Sequence, residues 1–134
     1  MSIEWTNDLK TGDPVIDSEH KRLLKAANDL VEACNKGKGR EEIARATDFL
    51  SSYTNTHFAH EEELMKKHAY PEYDTHRKWH IAYIKEIETV AVKIKEQGPT
   101  VAVLAEVNTK LGVLLNHIRT MDLKLAKHIQ ASAK

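Results

Sequence analysis

The stretch from His57 to His80, H-F-A-H-E-E-E-L-M-K-K-H-A-Y-P-E-Y-D-T-H-R-K-W-H, concentrates residue types that bind metal ions. Two pairs within it, His57 with Glu61 and His76 with His80, are each spaced i, i+4. On an α-helix such residues lie one above the other on one face, roughly 5–6 Å apart at Cβ. That span lets two side chains grip one ion. Between the pairs, Tyr70-Pro71 interrupts the helix, because the residue before proline avoids the α region and proline cannot continue a helix interior. One i, i+4 pair by itself is more often a surface pairing. Two on neighbouring helices point to a shared site.

The elements that must hold these pairs follow from hydrophobic periodicity. Residues 1–16 carry no helical period, and Trp5, Gly12, Pro14 and Val15 suggest an extended arm packed on the body. Asp17 or Ser18 is a candidate N-cap for a first helix over about 18–36. Its stripe is Leu23, Leu24, Ala27, Leu30, Val31 and Cys34, with His20 in phase, and Gly37-Lys38-Gly39 closes it. A second helix over about 41–68 turns Ile43, Ala46, Leu50 and Tyr53 inward, a line that continues through His57, Glu61 and Leu64. A third, over about 71–97 with Pro71 in its first turn, presents Tyr73, His76, His80, Tyr83 or Ile84, Ile87, Ala91 and Ile94. The fourth, over about 100–130, presents Leu104, Val107, Leu111 and Leu114, with His117 in line; Gly112 inside it marks either a close helix contact or a weak point. No segment alternates like a strand. The expected fold is all-α, an up-down antiparallel four-helix bundle with an extended N-terminal arm, in one domain.

Placement makes the polar residues informative. His20, His57, Glu61, His76, His80 and His117 all fall on faces otherwise built from Leu, Ile, Val and Tyr. A buried unpaired carboxylate is costly enough that it takes up a proton or finds a partner. One such histidine is usually a hydrogen-bonded core residue. Five with a glutamate, spread over four helices, are better explained by a metal site in the bundle core. Asp122 joins them only conditionally. It lies five residues after His117, about 140° around a regular helix, so both can face one site only at a π-type turn or a helix end. Imidazole and carboxylate without thiolate suit iron or manganese rather than an iron–sulfur cluster or a structural zinc. Seven ligands exceed what one ion takes. On two octahedral ions, five imidazoles, two bridging carboxylates and a bridging oxygen fill all positions but one.

The whole set, H20…H57-x-x-x-E61…H76-x-x-x-H80…H117-x-x-x-x-D122, resembles the hemerythrin family, above all its single-domain bacterial members. The likeness extends to Trp5, Ile16-Asp17 before His20-Lys21, His57-Phe58, Tyr70-Pro71 and Asn116-His117-Ile118. It implies a non-haem centre of two iron ions joined by an oxo or hydroxo bridge, which binds O2 reversibly. By the same resemblance His76, His80 and His117 hold one iron, His20 and His57 the other, and Glu61 and Asp122 bridge them, with O2 at the open position of the two-histidine iron. The sequence departs from the family pattern at Glu19 (usually Gln), Val113 (often a Trp lining the oxygen pocket), Leu123 and Leu125 (often Lys and Tyr), and Trp79 (commonly acidic).

Other candidates are set aside. His60 sits about 100° off the ligand face and is expected to be solvated. His68 is nearest to an accidental extra ligand, and His128 lies near a frayed end. Glu62 and Glu63 belong to an exposed face, and Cys34 is expected to be a small core residue. With 20 basic and 20 acidic residues the chain has no charge bias toward nucleic acid or an anionic membrane. No apolar run is long enough for a transmembrane helix, and the N-terminus lacks a signal peptide's charged and apolar regions. A cytoplasmic monomer is the expectation, with O2 as small ligand and a redox or O2-consuming protein as candidate partner. The competing functions are a di-iron enzyme for peroxide or nitric oxide detoxification, an iron- or oxygen-responsive sensory module, and a purely structural bundle. No substrate pocket or general base beyond the ligands is evident, which ranks the enzyme below the O2-binding protein.

Overall fold

The computed structural model describes residues 4–37 and 39–132. Among these the chain has helices and no strand: α1 Pro14–Asn35, α2 Arg40–Lys67, α3 Tyr73–Gln97, and a fourth rod of three pieces. That rod comprises α4 Val101–His117, a π-helical turn Ile118–Asp122, and α5 Leu123–Ser132. α1 packs on α2, α2 on α3 and α3 on α4, and α4 closes back on α1. This is a four-helix bundle, with neighbours set antiparallel by short corners. No helix of the described residues is long and apolar enough to cross a membrane.

The core forms three apolar layers. One holds Leu23, Leu30, Ile43, Leu50, Ile94, Val107 and Leu111, with Cys34 buried among them. A middle layer gathers Leu9, Leu24, Phe58, Tyr83, Leu114 and Ile118. The third joins Ile16, Met65, Tyr70, Leu125 and Ile129. The periodic stripes supplied most of these residues. Met65 and Val90, each one position from the chosen line, are buried as well.

The start of the bundle differs from expectation. α1 begins at Pro14, because the Asp13 side chain caps it by accepting from the N–H groups of Val15 and Ile16, both at 3.0 Å. Pro14 and Val15 are therefore helix, not arm. Asp17 is no cap. Its carboxylate, buried in the first turn, accepts from Thr11 N–H at 2.9 Å, Thr11 Oγ–H at 2.7 Å and Gly12 N–H at 3.3 Å. That staple holds the arm, whose described part includes a short 3-10 turn at Asn7–Leu9 and buries Leu9 beside Trp5. Gly12 adopts a left-handed φ of 94° there, and a Cβ on it would lie 2.8 Å from the Gln130 amide. Met1–Ile3 of the arm and Lys38 of the first turn lie outside the described residues.

The corner between α2 and α3 is sharper than a proline stop. Ala69 takes a left-handed φ of 49°, and Tyr70 N–H donates back to Met65 O at 2.9 Å, closing the helix end. Pro71 stays in the turn, and α3 starts two residues later, at Tyr73. Gly98, with φ 78°, ends α3.

Gly112 is not a close contact: a Cβ there would meet nothing within 4 Å. A glycine inside a helix costs about 0.5–1 kcal/mol relative to alanine. We expect Gly112→Ala to stabilise the protein by about that amount in a denaturant titration, with metal content unchanged.

Candidate metal centre

Seven side chains from all four rods meet at one level of the bundle: His20 of α1, His57 and Glu61 of α2, His76 and His80 of α3, and His117 and Asp122 of the fourth rod. None is more than 2% exposed. They fall into two groups whose ligand atoms could each surround one ion: His76, His80 and His117 in one, His20 and His57 in the other, with Glu61 and Asp122 common to both. The carboxylate oxygens divide between the groups. Glu61 Oε2 lies 3.0 Å from His57 Nε2 and 3.4 Å from His20 Nε2, while Oε1 lies 3.1 Å from His80 Nε2. Asp122 Oδ2 lies 2.9 Å from His20 Nε2, while Oδ1 lies 3.0 Å from His76 Nε2 and 2.9 Å from His117 Nε2.

Local backbone geometry brings this about. The two i, i+4 pairs use ordinary helix spacing. His117 and Asp122 do not; the π-helical turn between them opens the helix, and Leu123 N–H reaches back to Ile118 O. The wider turn carries Asp122 round onto the face of His117, which is the distortion that the five-residue spacing requires.

The donor set fits a metal on chemical grounds. Both oxygens of Glu61, Asp122 Oδ2 and the Nε2 atoms of His20, His57 and His80 are buried without a well-directed hydrogen bond. Buried polar atoms are normally paired, and so many convergent lone pairs in one place call for a cation.

A family model described as the hemerythrin HHE cation binding domain matches residues 11–129, a span that contains all seven side chains. The chain belongs to the hemerythrin family. It is 32% identical over 130 residues to a bacteriohemerythrin of Stenotrophomonas maltophilia, covering 96% of this chain and 82% of that one. It is 35% identical over 120 residues to a bacteriohemerythrin of Pseudomonas aeruginosa, covering 90% and 76%. A myohemerythrin of Theromyzon tessulatum is 26% identical over 123 residues, covering 90% of this chain and 88% of that one.

Within this hemerythrin fold the departures at Glu19, Trp79 and Val113 acquire locations. Val113 is 40% exposed and turned to solvent, so it does not line the centre. The wall beside His117 is instead Trp79, stacked on that imidazole with ring centroids 3.6 Å apart, and stacked in turn on Tyr83. Phe58 covers His80 in the same way, at 3.9 Å. Leu125 is fully buried in the layer below.

Three of the set-aside residues are not where the sequence suggested. His60 is only partly exposed, and its Nδ1 lies 2.9 Å from both oxygens of Glu19. Glu62 is not simply solvated; it accepts from His80 Nδ1 at 3.0 Å. His128 donates to the His68 carbonyl at 2.7 Å and packs against Tyr70. His68 pairs with Ser132 Oγ and stands outside both ligand groups. Glu19, Glu62 and Trp79 are thus the residues that periodicity overlooked. Their only signal was position, each being sequence neighbour to a ligand.

Electrostatics ties the cluster together. Burial opposes a charge on His20, but the close Asp122 and Glu61 carboxylates outweigh it and lift the imidazole to about 9. Burial likewise opposes His57, and Glu61, with help from Glu19, lifts it to about 10. Burial and mutual repulsion work against Glu61 and Asp122 as anions, yet the surrounding imidazoles hold both well below the carboxylate range. On His117 burial wins, and its affinity for a proton falls. At neutral pH the metal-free site therefore keeps protons on His20 and His57 where a metal would place its own charge.

The sign of the pH effect follows. Both folded-state values lie above the ordinary 6.5. The metal-free fold draws stability from these pairs below 6.5 and loses it as pH rises through about 9 to 10. Thermal melts of metal-free protein should show a midpoint that falls across that interval, with a smaller fall after metal loading. Calorimetry in buffers of different ionisation enthalpy should show protons released on metal uptake at neutral pH.

Proposed function

We propose that this protein binds O2 reversibly at a non-haem di-iron centre, serving oxygen storage, delivery or sensing. In this reading His76, His80 and His117 hold one iron, His20 and His57 hold the other, and Glu61 and Asp122 bridge them. The observation that carries it is the division of each carboxylate, one oxygen facing each histidine group. Membership of the hemerythrin family, known for O2 binding on iron, supports the same reading. Two iron ions, when bound, supply the electrons that O2 takes up on binding and returns on leaving.

The protein's own part is to bind, orient and exclude water. Three imidazoles serve one position and two the other, so the His20 and His57 side has the capacity left for a small ligand. Phe58 and Leu114 in the middle layer and Met65 and Tyr70 in the layer below place apolar material on both sides of the cluster. Such a lining keeps water and protons from reaching a bound, partly reduced ligand, which favours its return as O2. The chain is read as a binding protein, not an enzyme.

Protein purified anaerobically with two irons per chain should develop a visible charge-transfer band in air and lose it on degassing. Irreversible bleaching to a diferric form would contradict reversible binding. We expect His57→Ala to lower bound iron well below two per chain by metal analysis, and Asp122→Ala to lower it further, because the aspartate serves both positions. Retained stoichiometry in both variants would overturn the ligand assignment.

A further inference from the structure

All five imidazoles turn Nε2 toward the carboxylates, which leaves Nδ1 facing outward. Nδ1 of His20, His76 and His117 is buried without a hydrogen-bond partner among the described residues. The other two are anchored. His57 Nδ1 donates to Glu19 Oε1 at 2.9 Å, and His80 Nδ1 donates to Glu62 Oε2 at 3.0 Å. His57 belongs to the two-histidine group and His80 to the three-histidine group. Each group therefore has one imidazole held by a carboxylate outside the cluster.

The two outer carboxylates have similar settings. Their side chains are 24% and 23% exposed, at the boundary between core and solvent. Each faces a basic side chain on its outer side: His60 at 2.9 Å for Glu19, and Arg77 Nε at 3.6 Å for Glu62. Glu19 comes from α1 and reaches across to α2, while Glu62 comes from α2 and reaches across to α3. Neither is in a position to ligate: the inward Nε2 atoms lie across the ring.

We propose that Glu19 and Glu62 are a matched pair of positioning residues, one for each metal position, which fix His57 and His80 as Nδ1–H tautomers and make their Nε2 atoms stronger donors. This rests on the metal-centre reading above. A carboxylate that accepts the outer N–H orients the ring and raises its basicity toward a metal. Its negative charge also favours the more highly charged, oxidised state of whatever redox metal the ring holds. The pair thus secures metal retention and sets the balance between the reduced and oxidised centre. Trp79 and Phe58 present ring faces to His117 and His80 and act on ring orientation.

The test uses the full chain with cobalt(II) first, so that retention is measured without oxygen chemistry. Glu19→Leu and Glu62→Leu should each weaken uptake of one of two cobalt ions by about 10–100-fold, while Glu19→Gln and Glu62→Gln, which keep an acceptor oxygen, should lose less. Glu63→Gln, on the exposed face, serves as reference for the effect of removing a charge nearby. In iron-loaded protein both Gln variants should raise the midpoint potential above that of wild type and of Glu63→Gln, a shift that a purely packing role would not produce. Unchanged cobalt affinity in both Leu variants, or an unchanged potential in both Gln variants, overturns the proposal. Failure of the wild-type chain to take up cobalt or iron would overturn the metal-centre reading itself.

Discussion

Two carboxylates stand in the middle of this bundle with essentially no contact with water, and their charge must be answered within the core. Glu61 and Asp122 are 0% and 1% exposed. Leaving either as an unpaired anion would cost several kcal/mol or more. Five imidazoles are the answer the fold supplies, and no single helix could deliver them. α1 and α2 bring one each, α3 brings two, and the last rod returns with its own histidine and its own acid. Each rod is thereby committed to one rotation and one height. The three apolar layers supply the driving force for packing, while the polar cluster removes the freedom of one helix to slide or turn against another. Polar networks of this kind specify a unique arrangement only when all members are satisfied.

The backbone departs from ideal geometry where that constraint demands it. The π-helical turn at Ile118–Asp122 is a cost in helix regularity, and it falls between two cluster residues of one rod. It does two things together. It brings Asp122 to the face of His117, and it resets the phase of α5 so that Leu125, Ala126 and Ile129 still point into the core. At the other end of the chain Asp17 binds the arm one turn before His20, so the segment entering the bundle is fixed close to the site. Arg119, inside the π-helical turn, pairs with Asp8 of the same arm at 2.5 Å. The arm thus clasps the π-helical turn that carries Asp122 to the cluster.

Those features explain what could be read from the chain and what could not. Helix number, the apolar stripes and the convergence of His57, Glu61, His76 and His80 depend on period and spacing, which are local. The distortion near Asp122 was legible for the same reason, because a five-residue spacing states its own geometric requirement. The start of α1 was misplaced since Asp13 and Asp17 are equally good caps by type, and only the tertiary fold of the arm decides that Asp17 is otherwise engaged. Glu62 was assigned to an exposed face because it is one position away from the ligand line. That offset aims it at α3, where His80 meets it. Val113 illustrates the reverse error: a position expected to border the site is turned to solvent, and Trp79 of another helix borders it instead. Outer partners of ligands are relations between helices, and no period within one helix encodes them.

Viewed outward from its centre, the site alternates acidic and basic side chains. Carboxylates lie innermost, a shell of imidazoles surrounds them, Glu19 and Glu62 stand behind two of those imidazoles, and His60 and Arg77 cover these at the surface. In a medium of low polarity each layer is stabilised by the one inside it and would be unfavourable alone. Two divalent ions placed in the two groups would bring four positive charges. Glu61 and Asp122 would offset half of that, and Glu19 and Glu62, themselves paired with His60 and Arg77 on their outer sides, would offset part of the remainder. If the centre takes two ions as proposed, Glu19 and Glu62 would favour that occupancy without touching either ion.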